Sequence, residues 1–184
     1  MDSGTSNYLR FLDGDEEGIV EIIKDYKDGL MLYLNEYVRN IHVAEDLTED
    51  TFVKIVVKKP HFSEKCTFKT WLYAIGRNIA IDHLRRTSKT ETVPTEEALT
   101  VSDEESVERA YIRNERKIHI HRIMKNLKPD YRMVLYLVYF ENFSKTQIAQ
   151  IMRKSRKQID NLIFRAKLSL KSELEKEGFV YEEL

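Results

Sequence analysis

The stretch from Phe68 to Arg86, which reads FKTWLYAIGRNIAIDHLRR, constrains the fold of this chain more than any other. Its apolar residues recur every three or four positions, as in a helix that packs one face into a core. The positions between them carry basic and amide side chains, which together with aromatic rings suit unstacked bases and phosphates. A core helix with a solvated basic end explains the same pattern. The stretch predicts an amphipathic helix and leaves its role open between packing and nucleic-acid contact.

The composition of the chain favours helices throughout. Six glycines and three prolines in 184 residues are too few for the turns of an all-β protein. No run of eighteen apolar residues could cross a membrane, and the first residues lack the segments of a signal peptide, so we expect a cytoplasmic protein without membrane insertion. The single cysteine, Cys66, excludes an internal disulfide and a thiolate zinc site.

Two further helices are predicted before this stretch, from Asp15 to Asn40 and from Val43 to Lys58, and Pro60 ends the second one. The second helix has an acidic patch at positions i, i+1, i+4 and i+5, formed by Glu45, Asp46, Glu49 and Asp50. Its apolar residues Leu47, Phe52, Ile55 and Val56 can face inward. Such a patch is either a solvated face or a surface that a basic partner recognises.

Residues 88–107 are rich in Thr, Ser and Glu and show no apolar periodicity, which predicts a flexible acidic linker. We therefore divide the chain into an N-terminal domain of residues 1–87 and a C-terminal domain of residues 108–184. The charge changes along the same boundary: residues 91–116 hold 3 Lys and Arg against 8 Asp and Glu, whereas residues 117–184 hold 14 against 8. A basic last third indicates a contact with nucleic acid there.

The C-terminal domain has the spacing of a helix-turn-helix. A helix is predicted from about Glu108 to Asn126, and Pro129 opens a buried one; Ser144 and Gln147 form a capping-box signature ahead of a short helix, Lys145 to Met152. After a break at 153–155, a second helix runs from Arg156 to about Leu174, and a buried Ala149 would let the two helices cross closely. The outer positions of the second helix suit a DNA major groove, although a plain helical hairpin has the same pattern. His119 and His121 lie two residues apart and point to different sides, so a shared metal ion is not expected.

Two separate blocks of the sequence resemble those of extracytoplasmic function (ECF) sigma factors, which are bacterial initiation subunits of RNA polymerase. The first block comprises AEDLTEDTF and FKTWLYAIGRNIAIDHLRR, and the second comprises LKPDYRMVLYLVYFENFSKTQIAQIM and IDNLIFRAKLSL. The resemblance covers roughly residues 13–174. It implies an all-α fold of two small helical domains joined by the acidic linker, with a helix-turn-helix in the second. It also implies a non-enzymatic protein without a cofactor or metal that directs transcription initiation.

The resemblance assigns a role to each surface. The acidic helix would bind core RNA polymerase through Glu45, Asp46, Glu49, Asp50 and Phe52. The minus-ten promoter element would be held by Lys65, Lys69, Trp71, Tyr73, Arg77, Asn78, Arg85 and Arg86. The minus-thirty-five element would be read by Arg156, Lys157, Asp160, Asn161, Phe164 and Arg165. A protein of this kind is expected to be monomeric when free of partners and to be held by an anti-sigma factor.

The chain departs from the family pattern in the helix-turn-helix. The turn RKSRK from Arg153 to Lys157 has no glycine, and Asp160 and Leu162 stand where basic residues are common. An acid at position 160 could accept a cytosine amino group or repel phosphate. The main alternative function is a stand-alone helix-turn-helix regulator that does not join the polymerase. A small helical enzyme is disfavoured, because adjacent acids and bases on a helix point apart and no phosphate-binding loop is present.

Overall fold

The computed structural model describes residues 2–90 and 115–178, and these residues form eight α-helices without a strand. The helices are α1 (Ser3–Leu12), α2 (Glu17–Val38), α3 (Ile41–Lys58), α4 (Phe68–Thr90), α5 (Glu115–Met124), α6 (Pro129–Tyr139), α7 (Lys145–Met152) and α8 (Arg156–Lys176). The predicted all-α class is confirmed. Within the described ranges, no helix is both long enough and apolar enough to span a bilayer. The chain divides into two compact units, one that holds residues 2–90 and one that holds most of residues 115–178.

The first unit begins with α1, a helix that the sequence prediction missed. Asp2 caps it, because the Asp2 Oδ1 atom accepts a hydrogen bond of 2.9 Å from the backbone nitrogen of Thr5. Tyr8 and Phe11 are buried on its inner face. The turn into α2 is tight at Gly18, where a Cβ atom would meet the Asn7 carbonyl oxygen and would lie 2.9 Å from the Phe11 nitrogen. Glycine is therefore required where the two backbones approach.

Helices α2, α3 and α4 enclose the core of this unit. Gly76 of α4 lies against α2, since a Cβ atom there would be 3.0 Å from Leu30 Cδ1 and 3.4 Å from Leu34 Cδ2. Two threonines of α3 are fully buried, and their hydroxyl groups donate hydrogen bonds of 2.7 Å to the carbonyl oxygens one turn earlier. Both buried hydroxyl groups therefore have a hydrogen-bond acceptor.

The predicted helix boundaries in this unit hold to within a few residues. The helix predicted over Asp15–Asn40 runs over Glu17–Val38, and the second one starts two residues earlier than expected, at Ile41. Helix α4 begins at Phe68 as predicted but continues to Thr90, so the first three residues of the predicted linker are helical. The rest of that linker and the predicted helix start at Glu108 lie outside the described residues.

The second unit is built around α6 and α8. Residues 133–137 of α6 are buried, as the apolar sequence predicts, but Tyr139 near the end of the same apolar run is 40% exposed. Helix α8 is buried at Ile159, Ile163, Ala166, Leu170 and Leu174. The predicted capping box of α7 is confirmed: the Ser144 nitrogen donates to Gln147 Oε1 at 2.8 Å, and the Gln147 nitrogen donates to Ser144 Oγ at 3.3 Å. A second capping box, Ser155 with Gln158, starts α8 and was missed. Both helix starts are therefore fixed by their own side chains.

The turn between α7 and α8 adopts a left-handed backbone conformation without glycine. Arg153 has φ of 52°, a region that costs a side-chain-bearing residue free energy. Ala149 of α7 is half-buried rather than buried, which corrects the expectation of a small residue enclosed between the helices.

Candidate functional site

One face of α3 carries carboxylates and apolar side chains that the first unit leaves uncovered. Asp46, Glu49 and Asp50 are exposed. Val53 and Val57, which the sequence analysis did not single out, are 56% and 67% exposed. Asp46, Asp50, Val53 and Val57 follow one another at spacings of four, three and four, and Glu49 lies four residues before Val53, so the five form a single stripe, which we call the α3 face. The helical spacing was the signal that could have included the two valines.

Three further residues of this helix, Phe52, Val56 and Glu45, lie beneath the α3 face or at its edge. Phe52 is only 6% exposed, because it points into the core formed with α2 and α4, and its ring is not part of the α3 face. Val56 was expected to face inward but is 37% exposed at the edge of the face. Glu45 is half-buried beside α2, where its Oε1 atom lies 3.7 Å from Lys27 Nζ. Its carboxylate is thus already engaged by the chain itself.

Trp71 at the start of α4 belongs to a cluster of aromatic rings. Its ring centroid lies 5.2 Å from Tyr8, 5.2 Å from Phe62 and 5.5 Å from Phe68. The indole remains half-exposed, so one part of it is fixed by the cluster and another part faces solvent. Because offset and tilted aromatic pairs are favourable, the cluster holds Trp71 in one orientation. Lys65 lies exposed in the preceding loop.

Tyr73 is not on this surface. It is 1% exposed, and its ring lies 5.0 Å from that of Tyr33 in the core, with Lys69 Nζ 5.5 Å from its centroid. The position two residues after Trp71 points to another side of a helix, which is why the two rings separate. A base could stack on Tyr73 only if the core opened, so we correct that prediction.

The polar side chains of α4 follow Trp71 along the helix. Asn78 and Arg85 are seven and fourteen residues beyond Trp71, and positions seven apart share nearly the same face. Asn78 is half-buried and Arg85 is exposed. The other predicted residues flank this stripe: Arg77 is half-buried, and Arg86 is exposed with its Nε atom donating to the Asp82 carbonyl oxygen at 3.3 Å. The arrangement is a line of one aromatic, one amide and one cationic group.

The outer face of α8 has the mixed character that the sequence predicts. Arg156, Lys157, Asn161, Phe164 and Arg165 are all exposed, Phe164 by 64%. Leu168, four residues after Phe164, is 55% exposed and was missed. We call these six residues the α8 face. It offers hydrogen-bond donors to base edges and phosphates and apolar groups to thymine methyls.

Asp160 is held by two cations of its own chain. Its Oδ1 atom lies 2.6 Å from Lys145 Nζ, and its Oδ2 atom lies 3.7 Å from Arg156 Nε. Arg156 also donates a hydrogen bond of 2.7 Å from Nη1 to the Thr146 hydroxyl. The hydrogen bond and charge of Lys145, with the charge of Arg156, hold the pKa of the Asp160 carboxyl below its usual value. The carboxylate thus links the first turn of α7 to the first two turns of α8.

The two histidines and the cysteine that the sequence analysis considered lie in different surroundings. His121 is 2% exposed, with ring contacts to Tyr136 and Phe140 at 5.8 and 5.2 Å, whereas His119 faces Glu177 at 3.8 Å. The two imidazoles have different neighbours. Cys66 is half-buried, and burial raises the pKa of its thiol, which makes it a poor nucleophile.

These features together define a class of protein: a helical unit with an acidic-apolar face and an aromatic-basic helix, followed along the chain by a capped helix-turn-helix. Residues 22–90 match the sigma-70 region 2 family, and residues 118–170 match the sigma-70 region 4 family. The chain belongs to the ECF sigma-70 family and is an RNA polymerase sigma factor that directs transcription initiation. Sigma factors bind core RNA polymerase and promoters and are not enzymes.

Relatives of similar length support this assignment. The chain is 28% identical over 170 residues to the ECF RNA polymerase sigma factor SigW of Bacillus subtilis, a match that covers 88% of this chain and 91% of the relative. It is also 28% identical over 171 residues to the RNA polymerase sigma-H factor of Pseudomonas aeruginosa, covering 88% and 89%.

Solved structures show the same fold. CnrH, determined in complex with the cytosolic domain of CnrY, has a TM-score of 0.69 at 18% identity and covers 95% of this chain and 99% of its own. The sigma factor RpoE of Bartonella quintana, determined with the anti-sigma factor NepR, has a TM-score of 0.63 at 20% identity, with coverages of 84% and 95%.

Proposed function

We propose that this sigma factor binds core RNA polymerase through the α3 face. The observation that carries the proposal is the exposure of Val53 and Val57 directly beside Asp46, Glu49 and Asp50. Exposed apolar side chains next to like charges are costly to leave in water, and they suit a partner that covers the valines and presents cations to the carboxylates. Phe52 is left out because it is buried, and Glu45, whose carboxylate lies 3.7 Å from Lys27, adds its charge at the edge of the face.

We propose further that the two basic helices divide the promoter between them. The stripe formed by Trp71, Asn78 and Arg85 would hold the minus-ten element, with Lys65, Lys69, Arg77 and Arg86 neutralising nearby phosphates. An aromatic ring beside an amide and cations is the chemistry that binds unstacked bases. The α8 face would read the minus-thirty-five element in a major groove, as the recognition helix of a helix-turn-helix does.

We infer that an anti-sigma factor holds the free protein and that the protein is monomeric without partners. The support is that the neighbouring RpoE structure was determined with an anti-sigma factor. The exposed valines of the α3 face would also need a cover when polymerase is absent. The proposal locates the protein in the cytoplasm, where polymerase and promoter DNA are found.

The test is a pull-down of purified bacterial core RNA polymerase with the full chain. Glu49→Lys with Asp50→Lys should abolish retention, because the reversed charges repel the cations of the partner. A matched control is Asp25→Lys with Asp28→Lys, which changes the net charge equally on the exposed side of α2. Val53→Ser with Val57→Ser tests the apolar part and should weaken retention without any change in charge.

The outcomes separate clearly. Retention that is lost in the charge-reversed α3 variant, weakened in the Val→Ser variant and kept in the α2 control supports the proposed interface. Equal retention of all variants would show that polymerase is bound elsewhere, and equal loss in the α2 control would show an effect of net charge alone.

A further inference from the structure

We propose that Asp160 is a positioning residue in promoter binding: it orients Lys145 and Arg156 towards the DNA backbone and does not itself read a base. The inference rests on the proposed minus-thirty-five role of the α8 face and deepens it. It explains why an acidic residue, Asp160, lies in a helix that would face DNA.

The geometry ties three side chains from two helices together. Lys145 is the first residue of α7 and Arg156 the first of α8, and both cations meet the Asp160 carboxylate, at 2.6 and 3.7 Å. Arg156 is further anchored on the Thr146 hydroxyl at 2.7 Å. The chain thus brings the cations at both helix starts of the helix-turn-helix to one point. Helix N-termini favour anions through their free backbone N–H groups, so these two cations stand where phosphate is already attracted.

A base-reading role for Asp160 is disfavoured by what surrounds it. Each of its oxygen atoms faces a cation, and accepting a cytosine amino group would compete with the contact to Lys145. Asp160 unpaired beside DNA would repel phosphate, whereas Asp160 with its two cations carries a net local charge of about +1. The trio as a whole can therefore approach a phosphate.

Such an arrangement fixes the side chains of Lys145 and Arg156 before DNA binds. Lys and Arg lose considerable rotamer entropy when a phosphate fixes them, and a carboxylate that fixes them beforehand reduces that loss on binding. Side chains of the trio remain half-exposed, at 49% for Lys145 and 55% for Arg156, so both are accessible to DNA.

The experiment compares the natural chain, Asp160→Asn, Lys145→Ala and the double variant, each in complex with core polymerase. The probe is a pool of promoter duplexes with a randomised upstream element, followed by one selected duplex for affinity. Asp160→Asn should keep the base preferences and should weaken binding about two- to fivefold, the range of an exposed ion pair. If net charge alone decided the affinity, Asp160→Asn would bind DNA more tightly, because the variant loses one negative charge. In the Lys145→Ala background, most of the Asp160→Asn effect should vanish.

Unchanged binding by Asp160→Asn would overturn the proposal, and so would either of two further results. A change of preference confined to one base pair would make Asp160 a base-reading residue, and tighter binding by Asp160→Asn would mean that its carboxylate only repels DNA. A matched control is Asp130→Asn, which removes one carboxylate from the ion pair with Lys154 at 3.3 Å in the same unit. It should leave both readouts unchanged.

The proposed function is tested separately by Arg165→Ala and Lys157→Ala. If these variants also bind like the natural chain, the α8 face is not the DNA surface and the parent proposal fails. If they weaken binding while Asp160→Asn does not, only the positioning role fails. Circular dichroism melting of each variant identifies any loss of folding.

Discussion

The hydroxyl group of Tyr8 donates a hydrogen bond of 2.8 Å to the carbonyl oxygen of Pro60, 52 residues further along the chain. Tyr8 is completely buried, and its ring contacts Phe62, Phe68 and Trp71. A second link runs from the same helix, because Asp2 Oδ2 accepts a hydrogen bond of 3.3 Å from the backbone nitrogen of Phe68. Helix α1 thus fixes both ends of the loop that precedes α4 and, with it, the position of Trp71.

Replacing Tyr8 by Phe should lower the free energy of unfolding of the first unit by about 1 kcal/mol, because the Pro60 carbonyl loses its donor while the ring stays. Trp71 is the only tryptophan of the sequence and lies 5.2 Å from Tyr8, so its fluorescence during urea unfolding reports this unit. Leu9→Ala, at an exposed position of α1, is the control and should change the midpoint little. An unchanged midpoint for Tyr8→Phe would mean that the hydrogen bond contributes nothing.

Helix α1 also shows where sequence reasoning fell short. Its ten residues, SGTSNYLRFL, make fewer than three turns, and their large apolar side chains are confined to the last five positions, so the pattern is too short to predict a helix. Asp2 is recognisable in the sequence as an N-cap residue, but its second contact, with the backbone nitrogen of Phe68, 66 residues away, is not. The longer helices α2, α3 and α4 were predictable because their apolar stripes span several turns. Local sequence patterns therefore predicted α2, α3 and α4, whereas contacts with residues far along the chain help to stabilise α1.

Replacing Gly18 by Ala should destabilise the first unit by about 1 to 3 kcal/mol, since the added methyl group meets backbone atoms of Asn7 and Phe11 that cannot rotate away. In an unstrained helix, the same change would stabilise. The urea midpoint from Trp71 fluorescence measures the effect. Lys24→Ala, an exposed position of the same helix, should stay within about 0.5 kcal/mol of the natural chain. A stabilised Gly18→Ala variant would show that α1 and α2 can separate without cost.

Replacing Arg153 by Gly should stabilise the second unit by about 1 kcal/mol, because glycine adopts φ of 52° without the steric penalty of a side chain. Arg153→Ala removes the same charge but keeps the Cβ atom, so the difference between the two variants isolates the backbone term. Amide hydrogen exchange in α6 and α8 measures it in this unit. Equal exchange rates in the two variants would show that the turn stores no strain.

The candidate site was predictable where it follows helical spacing and unpredictable where burial decides. Glu49, Asp50, Asn161 and Phe164 are exposed as the patterns indicate. Phe52 and Tyr73 were assigned to surfaces by resemblance, yet packing against neighbouring helices buries them. The apolar spacing of α3 already placed Phe52 inward, whereas no local signal separated Tyr73 from Trp71. The pairing of Asp160 with Lys145 joins residues in different helices. It depends on the angle of the turn, which the sequence RKSRK did not reveal.

Substitutions in α4 and in α8 should impair different steps of transcription initiation. Arg165→Ala should weaken promoter binding by about 1 to 3 kcal/mol if the guanidinium contacts a base, with polymerase binding unchanged. Asn78→Ala should instead leave initial binding nearly intact and reduce strand opening, because its amide lies in line with Trp71, where unstacked bases would be held. Opening can be followed by the fluorescence of 2-aminopurine in the minus-ten element of duplex promoter DNA.

A premelted promoter separates melting from capture for Asn78→Ala. Because the proposed contact is to unstacked bases, the defect of Asn78→Ala should be smaller on a premelted template than on duplex DNA but should not vanish. Full recovery on the premelted template would confine Asn78 to strand separation. Arg165→Ala should be equally defective on both templates, since its proposed contact lies in the double-stranded upstream element. Normal opening by Asn78→Ala on duplex DNA would remove this residue from the minus-ten surface. The stripe would then be reduced to Trp71 and Arg85, which lie fourteen residues apart on α4.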